Sequence, residues 1–288
     1  MDIDLLGLIP AFFFALSSIF TRKGLDYSTP QTGSFIVLQT QFSLFAFSLF
    51  FVDFSQFTIT YSLLFFIFAG LSSPALSLLF LFLSINRIGV ARTNAISNTH
   101  AIFGALSAFF ILGERPSLHV WIGIILVVIG IVFISGGGKN AMGRSKFLIF
   151  PLISAMCFGL AHALRKNGIE SHTSLLFAGF VQGLSASIFG PIFLKMSNKW
   201  EPFVFNLKSN RNFLLSGIAM AFAQFSLLFA LSRSEVYRVS PLVATVPLFT
   251  LFLAPLILGD KEKITLPVIA SSIIIVIGVV LVTIRLQF

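Results

Sequence analysis

Apolar residues occur in ten long stretches along the chain, separated by short segments that hold Gly, Pro, Ser or charged residues. An α-helix needs about 20 consecutive apolar residues to cross the hydrocarbon core of a bilayer, and each stretch approaches that length. The pattern therefore predicts ten transmembrane helices, over residues 3–21, 33–52, 62–85, 90–112, 118–135, 147–166, 174–194, 213–231, 239–258 and 266–284.

Composition supports this interpretation. Hydrophobic residues make up 57% of the 288 residues and charged residues 10%, with a mean hydropathy of +0.99. A soluble domain carries about 25% charged residues, so a water-soluble fold is excluded. The first stretch lacks a basic leading segment and a small-residue cleavage site, which predicts a retained helix. The expected fold class is an all-α integral membrane protein, multi-pass in the inner or plasma membrane.

Three short motifs recur in the same order in the two halves of the chain. The matched pairs are Phe14-Ala15-Leu16 with Phe158-Gly159-Leu160, Leu112-Gly113-Glu114-Arg115 with Leu258-Gly259-Asp260-Lys261, and Ile129-Gly130-Ile131-Val132 with Ile277-Gly278-Val279-Val280. The order and nearly constant spacing predict an internal duplication, with repeats at 1–135 and 147–288 joined by a Gly-rich linker at 136–146. Because each repeat holds five spans, the second copy starts from the opposite side, giving two inverted five-helix repeats around a central cavity.

Basic residues are distributed unevenly between the two sets of loops. The net charge is +9, and 13 of the 19 lysines and arginines fall in the loops on one predicted side, whereas the other six, Arg165 among them, are counted on the opposite side. Cytoplasmic loops carry an excess of Lys and Arg, which predicts that both termini lie outside the cytoplasm. This distribution explains the charge better than a nucleic-acid partner does, so no nucleic acid is expected.

At these residues the chain resembles the drug/metabolite transporter superfamily, in its ten-span form with two EamA-like repeats. The resemblance rests on the acid after Leu-Gly (Glu114, Asp260), on Pro247-Leu248-Phe249 and on the Ile-Gly motifs of the fifth and tenth spans. It implies export of amino acids or similar solutes. Two features depart from the family pattern: the first repeat has His100-Ala101 where the second has Val246-Pro247, and the family commonly keeps its termini in the cytoplasm.

The ten acidic residues all fall in loops or at span ends. A carboxylate at mid-depth would be the usual carrier of a proton or attractor of a lipophilic cation, so its absence argues against proton-coupled export of cationic drugs. Glu114 is expected to cap the following helix or to pair with Arg115. Cys157 has no disulfide partner and is expected to be a small core residue.

The fourth predicted span is the most polar one. Residues spaced by three and four share one helical face, and amide or imidazole groups on it need a partner helix or a wet cavity. His100 is expected to face a cavity, whereas for Asn94 a cavity and a partner helix stay equally open. The predicted substrate-binding residues are His100, Asn98, Asn94 and Ser97 in this span, Gln39 and Gln41 in the second, Ser18 in the first, and His162, Gln182 and Gln224 in the second half. His162 aligns with Ser18, so inverted repeats would bring both toward one cavity.

The sequence shows no motif that indicates an enzyme: it has no metal-binding motif, no mid-membrane carboxylate pair and no nucleophile beside a base. It also shows no repeated filter or ring of charges, which a channel would need. The sequence favours a secondary carrier of a small polar metabolite that needs no cofactor, works by alternating access in a lipid environment, and uses a proton or another ion gradient. If protons drive it, His100 or His162 should carry the proton, with His100 favoured because it lies nearer mid-span. Two alternatives stay open. One is a carrier of nucleotide sugars or lipid-linked sugars, which would use Arg92 or Arg238. The other is an intramembrane enzyme.

Overall fold

The structure, a computed structural model, describes residues 6–51, 60–88, 93, 96–134, 147–169, 174–196, 203–258 and 266–283. These residues form helices and short connections, with no strand in the described ranges. The helices of the first half are α1 (Leu8–Leu25), α2 (Pro30–Ser48), α3 (Ser62–Gly70), α4 (Ser77–Ile88), α5 (His100–Ser107) and α6 (Leu118–Ile134). Those of the second half are α7 (Ile149–Ile169), α8 (Leu175–Met196), α9 (Leu207–Arg233), α10 (Val236–Val243), α11 (Val246–Leu258) and α12 (Leu266–Thr283).

Within the described residues, six helical segments are long and apolar enough to cross a membrane: Leu8–Leu25, Pro30–Phe51, Ser62–Ser84, Leu175–Phe193, Leu207–Arg233 and Val236–Ile257. Two shorter apolar helices, His100–Leu112 and Leu118–Gly130, accompany them. The all-helical, multi-pass membrane class predicted from the sequence is confirmed. Ten crossings, and their inversion between the halves, stay predictions.

Caps explain where two helices begin. Thr29 precedes Pro30 at the start of α2, and its Oγ1 accepts a hydrogen bond from the Thr32 N–H at 3.3 Å. The Asn206 side chain accepts from the Lys208 N–H at 2.9 Å, so α9 begins at Leu207. The sequence places this start at residue 213, where the apolar stretch begins. The cap adds a polar turn ahead of that stretch.

The third span contains a kink that the hydrophobic pattern does not show. Helices α3 and α4 are joined by a wide π-type turn, Leu71–Leu76, in which Ser73 has non-helical angles of φ −149° and ψ 121°. The next residue, Pro74, has no N–H to donate to the helix. The predicted segment 62–85 is therefore two helices at an angle.

The fourth span is interrupted as well. Asn98 and Thr99 form a turn, and α5 starts at His100. In the second half a turn at Ala244 and Thr245 separates α10 from α11. The continuous polar face expected along 90–112 is thus broken just before His100.

Contacts between the halves position the core. α1 packs on α9 and on α11, α7 packs on α3 and on α5, α2 lies against α8 and α9, and α6 lies against α12. The α6–α12 crossing is close because both helices present glycine: a Cβ on Gly123 or Gly278 would lie 2.7 Å from the carbonyl oxygen of the other. When the two halves are exchanged, the pairings α1–α9 and α1–α11 correspond to α7–α3 and α7–α5.

Candidate functional site

A cavity of about 100 Å³ lies inside the bundle between α1, α4, α5, α7, α9 and the α10–α11 turn. Its polar lining consists of side chains without formal charge: Ser17, Ser18, Thr21, Ser77, Ser97, Asn98, His100 and Ser154. Phe14, Phe158 and Met220 are among its apolar walls. No carboxylate of the described residues lines it, which fits the absence of mid-span acids in the sequence.

His100 is the most distinctive residue of the cavity wall. It is the first residue of α5 and is buried, and its Nδ1 lies 3.1 Å from the carbonyl oxygen of Ser97. Its Nε2 has no hydrogen-bond partner in the described part of the chain. Buried polar atoms are normally satisfied, so this nitrogen marks His100 as a candidate binding residue.

The two broken helices border the cavity with equivalent residues. When Leu112-Gly113 is aligned with Leu258-Gly259, Ser97 corresponds to Val243 and His100 to Val246, and all four line the cavity. A substrate in this cavity would therefore touch both breaks at once.

His162 lies behind His100 and does not line the cavity. The two imidazole rings meet edge to face with centroids 5.5 Å apart. The Nδ1 of His162 lies 2.7 Å from the Ser240 hydroxyl, while its Nε2 has no partner among the described residues. Gly104 allows this approach, because a Cβ there would overlap the Ser240 hydroxyl oxygen. The histidine pair thus links α5, α7 and α10.

The structure brings together four of the predicted site residues, Ser18, Ser97, Asn98 and His100, along this one cavity. Gln39 instead exchanges hydrogen bonds with Ser187 of α8: its Nε2 donates to the Ser187 carbonyl at 3.3 Å and its Oε1 accepts from the hydroxyl at 2.9 Å. Asn94 lies outside the described residues. A role for any of these residues in binding stays a prediction.

Gln41, Gln182 and Gln224 are buried away from the cavity lining, and the last two join a cluster around Arg165. The sequence interpretation counted Arg165 with the loop cations, whereas it lies inside α7 and is fully buried. One signal in the sequence could have revealed it, because it follows His162 by three residues and so shares its helical face.

Glu114 caps a helix, but not the one that follows it in the chain. Its two carboxylate oxygens accept hydrogen bonds from the Val236 and Tyr237 N–H groups at 3.1 and 3.2 Å, at the start of α10. Burial raises the pKa of the Glu114 carboxyl, and these two hydrogen bonds oppose that rise. The carboxylate ties the first half of the chain to the broken helix of the second half.

Comparisons with known proteins agree with this architecture. The apolar helices define a multi-pass membrane protein, and a family model assigns it to the transporters. That model, the EamA-like transporter family, matches residues 2–136 and 145–284, so the chain belongs to this family. Its members are transporters, which supports the prediction that the chain is not an enzyme.

A solved structure titled "Crystal structure of protein" matches with a TM-score of 0.79 and 13% sequence identity, over 98% of this chain and 96% of that one. At this identity the match shows the fold alone. No curated protein matches the chain at a significant level.

Proposed function

We propose that the protein is a secondary active transporter that moves a small polar metabolite, an amino acid or a related solute, out of the cell through the cavity beside His100. The observation that carries this proposal is the pair of helix breaks bordering one cavity. Broken helices leave backbone groups available to a solute at the centre of the bundle, a recurrent construction of carrier binding sites.

Alternating access is the proposed mechanism, with two inverted five-helix repeats (1–135 and 147–288) rocking about the cavity. Two observations support the repeat relation. The pairings α1–α9 and α1–α11 correspond to α7–α3 and α7–α5, and Phe14 meets its equivalent, Phe158, with ring centroids 5.6 Å apart. Equivalent residues that touch lie close to the axis relating two copies. Rocking about that axis would open the cavity first to one side and then to the other.

The chemistry of the cavity favours a solute that forms hydrogen bonds over a lipophilic cation, because serine, threonine, asparagine and imidazole groups line it and no described carboxylate does. A sugar-nucleotide carrier receives no support. Arg238 does not line the cavity and lies 3.3 Å from Glu235, and Arg92 lies outside the described residues.

The test is a thermal-shift screen of the purified protein against classes of metabolites, followed by transport of the stabilising solute in proteoliposomes. We expect an amino acid or related solute to stabilise the protein and to be transported against its gradient when an ion gradient is imposed. The proposal would be contradicted if only sugar nucleotides stabilised the protein. It would also be contradicted if the solute merely equilibrated across the membrane and no ion gradient changed its distribution. A reporter that fluoresces only in the cytoplasm, fused at Phe288, should stay dark if the termini lie outside.

A further inference from the structure

Arg165 is a cation buried inside the bundle, separated from the cavity by a single aromatic ring. Its side chain is fully buried, its Nε donates to Gln182 Oε1 at 2.8 Å, and one terminal nitrogen donates to the Ser73 carbonyl at 2.8 Å. The Ser73 carbonyl belongs to the kink of the third span. The guanidinium therefore lies where α7, α8 and the kink meet.

The hydrogen bonds of this cluster leave donors in excess. Gln182 uses its Oε1 for Arg165 and points its Nε2 at Gln224 Oε1, 3.5 Å away. The remaining guanidinium nitrogen of Arg165 and the Nε2 of Gln224 have no partner among the described residues, and both side chains are fully buried. Two donors and one positive charge thus need an acceptor.

Gln41 adds two further unpartnered atoms at the same level of the bundle. Its neighbour Phe42 lies at 3.4 Å from the position of a Cβ on Gly183, the residue after Gln182. Gln41 is buried, and neither its Oε1 nor its Nε2 has a partner in the described ranges. Polar groups from α7, α8 and α9 therefore converge around Arg165, and Gln41 lies on α2, which packs against α8 and α9.

No carboxylate of the described residues compensates this charge. The ion pairs within the described ranges join Arg22 to Asp26 and Arg238 to Glu235, and Arg165 is in neither. A buried cation is strongly unfavourable unless an opposite charge with hydrogen-bond acceptors accompanies it. A water molecule could accept from the two donors but would not neutralise the guanidinium.

We propose that Arg165 and Gln224 bind a monovalent anionic group, either a halide ion or a carboxylate. Arginine suits this role because its planar donors match a carboxylate and it keeps its charge. Phe158 controls which source reaches it: its ring lines the cavity on one side and lies 5.9 Å from the Arg165 guanidinium carbon on the other. A rotation of that ring would expose the cation to a solute in the cavity.

The two sources of the anionic group lead to different consequences. A free anion such as chloride would be a resident part of the bundle. A carboxylate supplied by the transported solute would make the substrate an acid or a zwitterion, an outcome that rests on the proposed function.

The experiment measures the melting midpoint of the purified full-length protein in sodium gluconate, a reference salt whose anion is larger than chloride and acetate. Gluconate is then replaced stepwise by chloride or by acetate at constant sodium, and acetamide serves as the neutral analogue of acetate. A ligand that binds only the folded state raises the midpoint saturably. We expect chloride or acetate, but not acetamide, to do so in the wild type.

Arg165→Met should abolish the saturable rise, whereas Lys166→Gln should preserve it. Lys166 is the matched control because it removes the same charge from the next residue of α7, where the ammonium donates to the carbonyls of Leu231 and Ser234. A response to chloride alone assigns a free anion. A response to acetate, together with loss of transport of carboxylate solutes in Arg165→Met, assigns the solute carboxylate.

Three results would overturn the anion site. The melting midpoint of the wild type would not respond to chloride or acetate, it would rise equally with acetamide, or it would rise equally in Arg165→Met. If Arg165→Met does not fold, Arg165→Lys decides: it should raise the anion concentration for half-maximal stabilisation at least tenfold, and an unchanged value overturns the proposal. Anion binding is measured without transport. Intact binding in a protein that transports nothing would therefore refute the proposed function alone.

Discussion

The two helix breaks at the cavity share one backbone geometry and differ in their side chains. In the first half the Thr99 hydroxyl and N–H both donate to the Ile96 carbonyl, at 2.6 and 3.1 Å. In the second half Thr245 makes the same two bonds to Leu242, at the same two distances. A threonine bonded back three residues tightens the turn and interrupts the regular helix in both copies.

What holds each break open is different. Pro247 has no N–H, so the carbonyl of Val243 lacks its helical donor. The equivalent residue in the first half, Ala101, does have an N–H, but it lies 3.4 Å from the Asn98 carbonyl. The carbonyl of Ser97 faces the His100 imidazole instead, at 3.1 Å. In both halves this carbonyl lacks its helical N–H partner. In the first half an imidazole lies beside the carbonyl, and in the second half a proline stands in place of the donor.

The comparison shows that the helix breaks and the polar lining of the cavity depend on different residues. The break is common to both halves, whereas the polar residues Asn98 and His100 occur only in the first, opposite Ala244 and Val246. The first break therefore contributes polar residues to the cavity lining and the second break contributes valines. Exchanging residues between equivalent positions tests how much of the function depends on that asymmetry.

The largest expected effect comes from Gly104→Thr, which copies Thr250 of the second half into the first. A Cβ at this position would overlap the Ser240 hydroxyl oxygen and lie 2.9 Å from its Cβ. Forcing extra atoms into a packed contact costs about 1–3 kcal/mol. We expect a lower melting midpoint and separation of the His162–Ser240 pair. The reciprocal Thr250→Gly should cost less, because threonine is itself a poor helix former and glycine is worse by only about 0.3 kcal/mol. Equal midpoints for Gly104→Thr and the wild type would show that the glycine is not required.

Transport should depend next on His100. His100→Val copies Val246, removes the Nε2 that has no partner and leaves the Ser97 carbonyl without its imidazole. We expect at least a tenfold lower transport rate in proteoliposomes, in line with the loss of one or two buried hydrogen bonds. Val246→His adds an imidazole to the apolar wall and should not restore His100→Val. Full activity of His100→Val would remove His100 from the site.

The same residue tests coupling to protons. His100→Gln is expected to keep the fold and part of the solute binding but to lose the pH dependence of transport, if protons drive the carrier. Transport with and without an imposed pH gradient measures this, with His162→Gln as the comparison. An unchanged pH response in both variants would leave a uniporter or a carrier driven by another ion.

A smaller effect is expected from Asn98→Ala, which copies Ala244. Asn98 lines the cavity, and removing one neutral hydrogen bond costs about 1 kcal/mol, so the solute affinity should fall roughly fivefold. Ser107→Ala is the control, because its hydroxyl donates to the Phe103 carbonyl at 2.7 Å within the same span and does not line the cavity. A solute dissociation constant that both variants leave unchanged would place Asn98 outside the site.

The smallest effect concerns Glu114, the cap that joins the first half to the broken helix of the second. Because burial raises the pKa of its carboxyl, the folded protein binds this proton more tightly than the unfolded chain does. Stability should therefore fall as the pH rises from the unfolded value of about 4.3 through the raised pKa. Glu114→Gln should flatten this pH dependence when melting midpoints are measured from acidic to neutral pH. Glu235→Gln is the control variant, because it removes a neighbouring carboxylate and should keep the dependence. If the melting midpoint of Glu114→Gln depends on pH as strongly as that of the wild type, other groups cause the dependence.

The amino-acid sequence determines the class of this protein. The length and apolarity of its stretches require a bilayer, because no soluble core accommodates them, and the repeated motifs indicate a duplicated bundle. The absence of carboxylates from the cavity could also be predicted, because every acidic residue lies in a loop or at a span end. These are properties of local runs of residues, which need no knowledge of which helix lies beside which.

Only the tertiary structure decided which polar groups share a site. Periodicity assigns Gln39 and His100 to helix faces, but the neighbouring helices determine that Gln39 meets Ser187 while His100 lines the cavity. The kink at Ser73 comes from Pro74, which has no N–H, and the turn at Asn98 from side chains that bond to the Ile96 and Ser97 carbonyls. A hydrophobic pattern records neither. Arg165 shows most clearly what the sequence alone does not reveal. Its charge at a predicted span end indicates a loop, and only the packing of α7 against α8 and the kink of the third span buries it.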